Sequence, residues 1–305
     1  MWAIDKASTM IKELSSHIED LAPNSQRAYG YCWQLWSDYL DGRHWSDVEL
    51  EDGERFAEAL RGRGNKPPTV GARIHALKGC YGRLKDLGKV KFNPFATVRI
   101  KNRYEPIKPT PLFPVKLVKK LLRAPSESTK TGVRDRALLA ILFGGGLRRH
   151  EAQEITLGAI RHLDEKTLYI HLPMTKARKP QQQPLPKWAA LLVMKLVTQR
   201  GGEGAKLKDP LFVTYYRDGS IRCPMSYSCV GRIWAKWVEF IGNDGTTPHS
   251  ARVTAITKLF EDNVEPTKIR DFARHASVST TEGYNRRYAG LDKNSALKLN
   301  YDVDF

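Results

Sequence analysis

The sequence predicts a mainly helical protein with a small β-sheet or hairpin, organised as two domains. Apolar residues recur at helical spacing over the first hundred residues and again from Trp188 onward. Only residues 167–172 combine β-branched and aromatic side chains in the manner of a strand. A basic, proline-rich stretch at 99–112 breaks the pattern as a linker would, and 305 residues are comfortable for two domains.

The first predicted helix has one apolar face and a signal at each end. Asn24 or Ser25 suits the N-cap, because a side-chain oxygen there accepts a hydrogen bond from a free backbone amide. The helix stops at Asp41-Gly42. We expect its aromatic residues to pack in a core rather than to stack on bases. The apolar face comprises Tyr29, Trp33, Trp36 and Leu40.

Two further helices complete the predicted first domain, residues 1–98. They cover 51–60 and a segment that a Thr69 cap opens and that ends near residue 87, with a basic turn between them. The chain carries a net charge of +17, so its basic residues are candidates for phosphate contacts. The candidates for DNA binding are Arg61, Arg63, Lys66, Arg73, Lys101, Arg103, Arg178 and Lys179.

Residues 113–291 are predicted to form the second domain. Its expected elements are helices at 114–123 and 132–143, a glycine interruption at 144–146, a helix from about 148, a strand at 167–172, its hairpin partner near 183–186, and mostly helical sequence from 188 onward. The tip of the hairpin, 175–179, is basic. Residues 292–305 form a tail that either folds on its own domain or docks on a neighbouring protomer.

Composition excludes several classes of protein. No apolar run approaches the roughly 20 residues of a membrane helix, and the N-terminus lacks a signal-peptide core. The four cysteines form no CxxC pair and no metal-like group with histidine, so we expect free thiols in a reducing cytoplasm. A pI of about 9.7 favours a polyanionic partner. We therefore expect a cytoplasmic, nucleoid-associated protein without a bound metal.

Tyr284 is the candidate nucleophile. A phenol has a pKa near 10, so it needs cationic neighbours and a base before it can attack a phosphate at neutral pH. His249 and Arg252 are three residues apart and share one side of a helix. Arg252 can bind two phosphate oxygens at once, and His249 can donate to the phosphate or accept a proton from the tyrosine.

Arg148 is the candidate for a second arginine on the phosphate, because it follows three glycines that let the backbone approach a ligand closely. Glu151, three residues later, is placed to orient Arg148 or a histidine. Lys176, on the hairpin tip, is the candidate acid that protonates the leaving 5′ oxygen, since an alkoxide leaves poorly. His275 completes the set. Each residue alone is uninformative, whereas their order on a strongly basic chain is not.

In this order the residues resemble the tyrosine recombinases, the phage integrase family of site-specific DNA recombinases. Residues 134–151 resemble the first arginine box of that family, and His249-Ser250-Ala251-Arg252 resembles its HxxR box. His275 and Tyr284, nine residues apart with Thr280-Thr281 between them, resemble the final box. The resemblance covers about 113–291.

Other parts of the chain carry the resemblance less fully. Lys176 lies where the family has its β-hairpin lysine, and Ser25 to Tyr29 resembles the core DNA-binding domain more loosely. Two positions depart from the pattern. Ala273-Arg274 precede His275 where the family has Leu-Gly, and the first box has three glycines where threonine-glycine is more usual. The departures concern backbone geometry and remove no catalytic group.

The resemblance implies a mechanism and partners. Tyr284 would form a 3′-phosphotyrosyl bond and release a 5′ hydroxyl, and a 5′ hydroxyl from a partner strand would attack in return. The ester conserves the bond energy, so no cofactor, ATP or metal is implied. Two domains would clamp double-stranded DNA that carries a specific recombination site. A homotetramer would hold two such sites through a Holliday junction, with an accessory protein or partner recombinase left open and cleavage in cis favoured by the short His275–Tyr284 spacing.

Two alternatives stay open from the sequence. A type IB topoisomerase uses a similar set of residues but relaxes DNA as a monomer without a specific site. A non-catalytic DNA-binding protein could keep the fold with a decayed site, although all six residues are present. The target sequence and the biological role, whether integration, dimer resolution or transposition, do not follow from the residues.

Overall fold

The computed structural model describes residues 14, 18–21, 23–100, 110–164, 167–173 and 180–285. The chain forms two compact units, Met1–Pro109 and Thr110–Phe305. Helices dominate both units where they are described, and the sheets are small and antiparallel. The predicted fold class, mainly helical with a small sheet, is confirmed. No helix in the described part of the chain is long and apolar enough to cross a membrane.

From Pro23 onward, the described part of unit 1 has the helices α1 (Pro23–Leu40), α2 (Leu50–Gly62) and α3 (Pro67–Asp86). The predicted start of two of them was wrong by a few residues. α1 begins at Pro23, before the expected caps, and α3 begins at Pro67 with Lys66 in the N-cap position rather than Thr69. Proline suits the first turn because its fixed φ is already helical and its missing amide is not needed there.

The core of unit 1 is built from aromatic side chains on all three helices. Trp36 is fully buried and meets Phe56 and Phe95 edge to face, with ring centroids 5.1 and 4.9 Å away. Its indole nitrogen donates to the hydroxyl of Tyr81 at 2.8 Å, and that hydroxyl donates to the carbonyl of Trp45. The polar atoms of both rings are therefore satisfied inside the core. The predicted core role of the α1 aromatic face is confirmed for Trp33 and Trp36.

Unit 2 alternates helices and short strands. Its elements are α4 (Val115–Arg123), α5 (Lys130–Gly144), α6 (Arg149–Gln153), a 3₁₀ turn (Leu157–Ala159), β1 (Ile160–His162), β2 (Leu168–Leu172), β3 (Gln181–Pro184), α7 (Lys187–Gly202), β4 (Val213–Tyr215), β5 (Ile221–Pro224), α8 (Tyr227–Phe240), α9 (Pro248–Glu261), α10 (Pro266–Ala273) and α11 (Val278–Glu282).

Helix α5 is the centre of unit 2. It is apolar on all sides and buried from Ala137 to Phe143, which is the composition of a helix enclosed by others. Thr129 caps its start by accepting a hydrogen bond from the amide of Gly132. Its last turn delivers the chain to the glycine segment 144–146. The position of that segment is therefore set by the most deeply buried helix of the unit.

The sheets of unit 2 are more extensive than the sequence predicted. β2 pairs with β3 as expected, and β1 adds a third antiparallel strand on the other side of β2. β4 and β5 form a separate hairpin in a region predicted to be mostly helical. β5 has only four residues and all of them are exposed, so it has no buried apolar face from which a strand could be predicted.

Several predicted features lie outside the described residues. They are the middle of the linker at 101–109, the hairpin tip at 174–179, and the tail at 292–305.

Candidate active site

Helix α9 carries the predicted His-x-x-Arg pair. Thr247 is its N-cap residue and Pro248 its first residue, so His249 and Arg252 both lie in the first turns. Arg252 is almost fully buried and donates to the carbonyl oxygens of Gly146 and Ala273. His249 is exposed. One side chain is thus held firmly, while the other faces solvent from the same helix.

The glycine segment leads directly into the second arginine. Gly146 has a φ of +55°, and an added Cβ would come within 2.8 Å of the Phe272 ring. Arg148 follows in an extended conformation as the N-cap residue of α6. Its backbone amide and its guanidinium each donate to a different carboxylate oxygen of Glu151, both at 2.8 Å. The predicted contact between Glu151 and Arg148 is therefore present.

A third arginine lies beside these two. Arg274 ends α10 in the left-handed conformation, with φ of 53° and ψ of 47°. Its side chain is buried and donates to Glu151 at 2.9 Å, while its own carbonyl accepts a hydrogen bond from Arg148 at 3.3 Å. In the sequence this position is a departure from the family pattern, and no role was predicted for it. Its place directly before His275 was the one available signal.

His275 and Tyr284 meet through their rings. The ring centroids are 5.5 Å apart and the planes are inclined by 19°, so the rings stack. Nδ1 of His275 lies 2.9 Å from the hydroxyl of Thr281, which is buried in α11. Tyr284 also packs against the apolar cluster of α9 and α10 that contains Ile256 and Ile269. A short helix therefore sets the spacing between the histidine and the tyrosine.

The cationic surroundings keep both histidines neutral at pH 7. Burial, together with the charges of Arg252 and Arg148, lowers the pKa of His275 to about 4. Partial desolvation of the imidazole and the same two arginines also lower the pKa of His249, although the residue stays accessible to solvent. A positive charge near an imidazole disfavours its protonated form. Both histidines therefore experience the positive charge of both arginines.

One carboxylate compensates the arginines. Burial alone would raise the pKa of Glu151, but the charges and hydrogen bonds of Arg274 and Arg148 outweigh it and hold that pKa at about 2. Burial and the charges of Arg148 and Arg274 lower the pKa of Arg252 to about 9, whereas Tyr284 opposes that shift. Arg252 therefore stays charged at neutral pH, and the cluster keeps an excess of positive charge suited to an anion.

The structure brings together five of the six predicted catalytic residues, and Lys176 lies outside the described residues. Among the predicted DNA-binding residues, Arg61, Arg63 and Lys66 are exposed in unit 1 around the turn between α2 and α3. Arg73 is half-buried, donates to Asn65 at 2.9 Å and lies over the ring of Tyr31. The remaining four, Lys101, Arg103, Arg178 and Lys179, lie outside the described residues.

Comparison with known proteins gives a consistent result. Residues 113–290 match the model of the phage integrase family. Tyrosine recombinase XerC of Pelobacter propionicus is 27% identical over 291 residues, which is 93% of this chain and 91% of that protein. Tyrosine recombinase XerD of Listeria monocytogenes is 24% identical over 273 residues, covering 87% of this chain and 88% of that one.

Solved structures share the fold. The Tn1549 transposon integrase in complex with transposon right end DNA superimposes with a TM-score of 0.71 and 17% identity, covering 96% of this chain and 99% of that chain. The XerH site-specific recombinase bound to a palindromic difH substrate gives a TM-score of 0.69 at 17% identity, covering 97% and 89%.

Proposed function

The chain belongs to the phage integrase family and is a tyrosine-type site-specific DNA recombinase, and we propose that Tyr284 is the residue that joins it to DNA. The observation that carries this proposal is the placement of Tyr284 against His275, next to a buried arginine cluster. A phosphodiester bound at this position would contact both the Tyr284 nucleophile and the fixed positive charge of the arginines. Preorganised charge is usually the largest contribution to stabilising such a transition state.

Arg148 and Arg252 bind the scissile phosphate in this proposal. Their guanidinium groups are held by Glu151 and by backbone carbonyls, so their positions are set before DNA arrives. Each can donate two hydrogen bonds to non-bridging oxygens. The negative charge that develops on the pentacoordinate phosphorus is then met without rearrangement of the protein.

The two histidines take different roles. His249 is neutral and exposed, so it can accept the proton of the Tyr284 phenol. When the hydroxyl of Thr281 donates to Nδ1 of His275, the opposite nitrogen, Nε2, carries the hydrogen and can donate it to a phosphate oxygen. Both roles require neutral imidazoles, which the lowered pKa values supply at pH 7.

The reaction exchanges one ester for another. The oxygen of Tyr284 bonds to phosphorus while the bond from phosphorus to the 5′ oxygen breaks, and Lys176 gives that oxygen its proton. A 5′ hydroxyl from a partner strand then attacks the phosphotyrosyl bond, and the phenol regains a proton. Because the bond energy is conserved in the ester, strand exchange through a Holliday junction needs neither ATP nor a metal.

The partners follow from the chemistry of exchange. Two duplexes with four strands require four nucleophiles, so we propose a homotetramer on two DNA sites, with cleavage in cis. Unit 1, with its exposed basic turn at 61–66, takes the role of the core DNA-binding domain, and unit 2 the catalytic role. The protein acts on the nucleoid in the cytoplasm.

A cleavage assay on nicked DNA tests the proposal. Purified protein is mixed in EDTA with nicked duplexes from its own genomic neighbourhood, so that the released fragment diffuses away and the covalent complex accumulates. We expect a slow band on a denaturing gel that is lost with Tyr284→Phe and kept with Tyr216→Phe, an exposed tyrosine on the β4–β5 hairpin. Intact binding without any band from the native protein would contradict the proposal.

A further inference from the structure

Arg274 has a left-handed backbone conformation, which is unusual for a residue other than glycine. It is one of the few residues other than glycine with a positive φ, at 53°, in the described part of the chain. A side chain with a Cβ is disfavoured there, and it persists only where the surroundings hold it. The side chain turns inward, with only 7% of the residue exposed. The contacts of the Arg274 side chain must therefore offset the energetic cost of its left-handed backbone conformation.

Those contacts reach the anchors of both phosphate-binding arginines. The Nη2 atom of Arg274 donates to Glu151 at 2.9 Å and to the carbonyl of Gly146 at 3.1 Å. Glu151 is the carboxylate that holds Arg148, and the Gly146 carbonyl also accepts from Arg252. Arg148 in turn donates to the carbonyl of Arg274 itself. The Arg274 guanidinium thus contacts both the group that holds Arg148 and the group that holds Arg252.

A third contact extends to the sheet. Nη1 of Arg274 donates to the side-chain oxygen of Gln183, which is buried in β3. β3 begins just after the segment that contains Lys176. Gln183 lies opposite Ile170 in the pairing of β2 and β3. The same side chain therefore ties the arginine cluster to the hairpin of the proposed acid.

We propose that Arg274 is a positioning residue, which sets the distance between Arg148 and Arg252 by holding Glu151 and the Gly146 carbonyl. This inference rests on the proposed function of the cluster. Arg274 does not bind the phosphate itself, because its two terminal nitrogens face five protein oxygens, which occupy all four of their N–H groups. Each terminal nitrogen of Arg252 has one protein acceptor among the described residues and keeps a second N–H for the phosphate. Its effect reaches DNA only through the two arginines.

Three substitutions separate positioning from a backbone role. Arg274→Met removes the charge, Arg274→Lys keeps it without the planar fork, and Arg274→Gly relieves the left-handed backbone. Lys268→Met is the matched control, since it removes one exposed charge from the same helix. The readouts are near-ultraviolet circular dichroism, DNA affinity, and the single-turnover rate of cleavage on nicked DNA.

We expect Arg274→Met and Arg274→Gly to fold, to bind DNA within about threefold of the native affinity, and to cleave about 100-fold more slowly, the loss that a displacement of about 1 Å can produce. Arg274→Lys should be intermediate and Lys268→Met unchanged. Native cleavage rates in Arg274→Gly would overturn the inference, because they would mean that only the backbone conformation mattered.

A double-substitution cycle with Glu151→Gln identifies the route. Because Arg274 holds both Glu151 and the Gly146 carbonyl, the pair of Arg274→Met and Glu151→Gln should lose less cleavage activity than the product of the two single losses. Multiplicative losses would overturn the inference. So would full recovery of Arg274→Met on a substrate with sulfur as the bridging 5′ atom, because sulfur leaves without an acid. If the native protein fails to cleave at all, the proposed function fails instead.

Discussion

At the scale of single residues, the site depends on an imbalance of charge. Glu151 is the buried carboxylate that compensates Arg148, Arg252 and Arg274, so the cluster keeps excess positive charge and favours an anion. Burial and the positive charge of the arginines lower the pKa values of the histidines, which therefore stay neutral at pH 7. Binding of a phosphodiester changes the charge that each of these groups experiences, and two predictions follow at this scale.

DNA binding should be linked to proton uptake. A phosphate beside His275 and His249 favours their protonated forms, so their lowered pKa values rise on binding. A group whose pKa rises on binding takes up protons below its bound-state pKa, so affinity strengthens as pH falls below about 6.5, while both imidazoles stay neutral in the complex at pH 7. Measurement of Kd against pH with the Tyr284→Phe protein checks this.

The control for this linkage replaces both histidines. In a Tyr284→Phe protein that also carries His249→Gln and His275→Gln, we expect the dependence of Kd on pH to be largely lost. A dependence equal to that of the parent protein would assign the proton uptake to other groups.

Glu151→Gln should lower stability most at neutral pH. The folded-state pKa of about 2 lies below the unfolded value of 4.5, so the contribution is fully present above pH 4.5 and is lost as pH falls towards 2. The shift corresponds to about 3 kcal/mol. Urea unfolding should show that the difference between native and Glu151→Gln proteins is largest near pH 7 and shrinks below about pH 4. A difference independent of pH would contradict this account.

The sequence predicted the candidate catalytic residues better than it predicted the residues that hold them in position. Residue type and spacing single out His249, Arg252 and Tyr284, because the chemistry demands those groups. The role of Arg274 depends on a left-handed backbone and on contacts with α6 and β3, which are distant in sequence. Nothing in the local pattern around residue 274 indicates those contacts.

At the scale of elements, a glycine lets a helix pack closely against a neighbouring segment. Gly53, which is buried in α2, faces Pro94, and an added Cβ would lie 2.1 Å from the carbonyl oxygen of that proline. Gly30 in α1 has nothing within 4 Å of the same added atom. Two glycines in helices of one unit therefore differ only in what surrounds them.

Alanine at these two positions should have opposite effects. Gly53→Ala should destabilise unit 1 by about 1–3 kcal/mol, because backbone atoms cannot yield as a flexible side chain can. Gly30→Ala should stabilise it by up to about 1 kcal/mol, since alanine is the better helix former. Thermal unfolding of the two variants measures both. Equal effects would contradict the packing described for α2.

Periodicity predicted the longer helices and missed the short strands. The helices from α1 to α5 carry enough apolar repeats to be recognised, with errors confined to their ends. β1 has three residues and β5 is wholly exposed, so neither offers a repeat long enough to detect. Their pairing depends on β2 and β4, which is a tertiary property.

At the scale of the whole molecule, the net charge of +17 predicts binding that weakens steeply with salt. Each phosphate contact contributes about 0.9 to the slope of log Kd against log salt concentration. Single alanine substitutions at Arg61, Arg63 and Lys66 should each lower that slope by about 1 without changing sequence preference. Lys258→Ala, whose ammonium group pairs with Asp262, is the control and should leave the slope unchanged.

The net charge favours a polyanionic partner but does not indicate which surface binds it. Composition is a sum over the chain, whereas a binding surface depends on which charges the fold leaves exposed and unpaired. Arg73 illustrates the difference, because its contacts with Asn65 and Tyr31 already occupy much of its side chain. The salt dependence of the alanine variants therefore shows which basic residues contact phosphate, a distinction that the sequence alone does not make.

The central claim is that Tyr284 forms the covalent bond to DNA, and the most direct measurement identifies the modified residue. The covalent complex from nicked DNA is digested with nuclease and protease, and the nucleotide-linked peptide is sequenced by mass spectrometry. We predict a phosphodiester remnant on Tyr284 and no such peptide from Tyr284→Phe. A remnant on any other residue, or an adduct that persists in Tyr284→Phe, would contradict the claim.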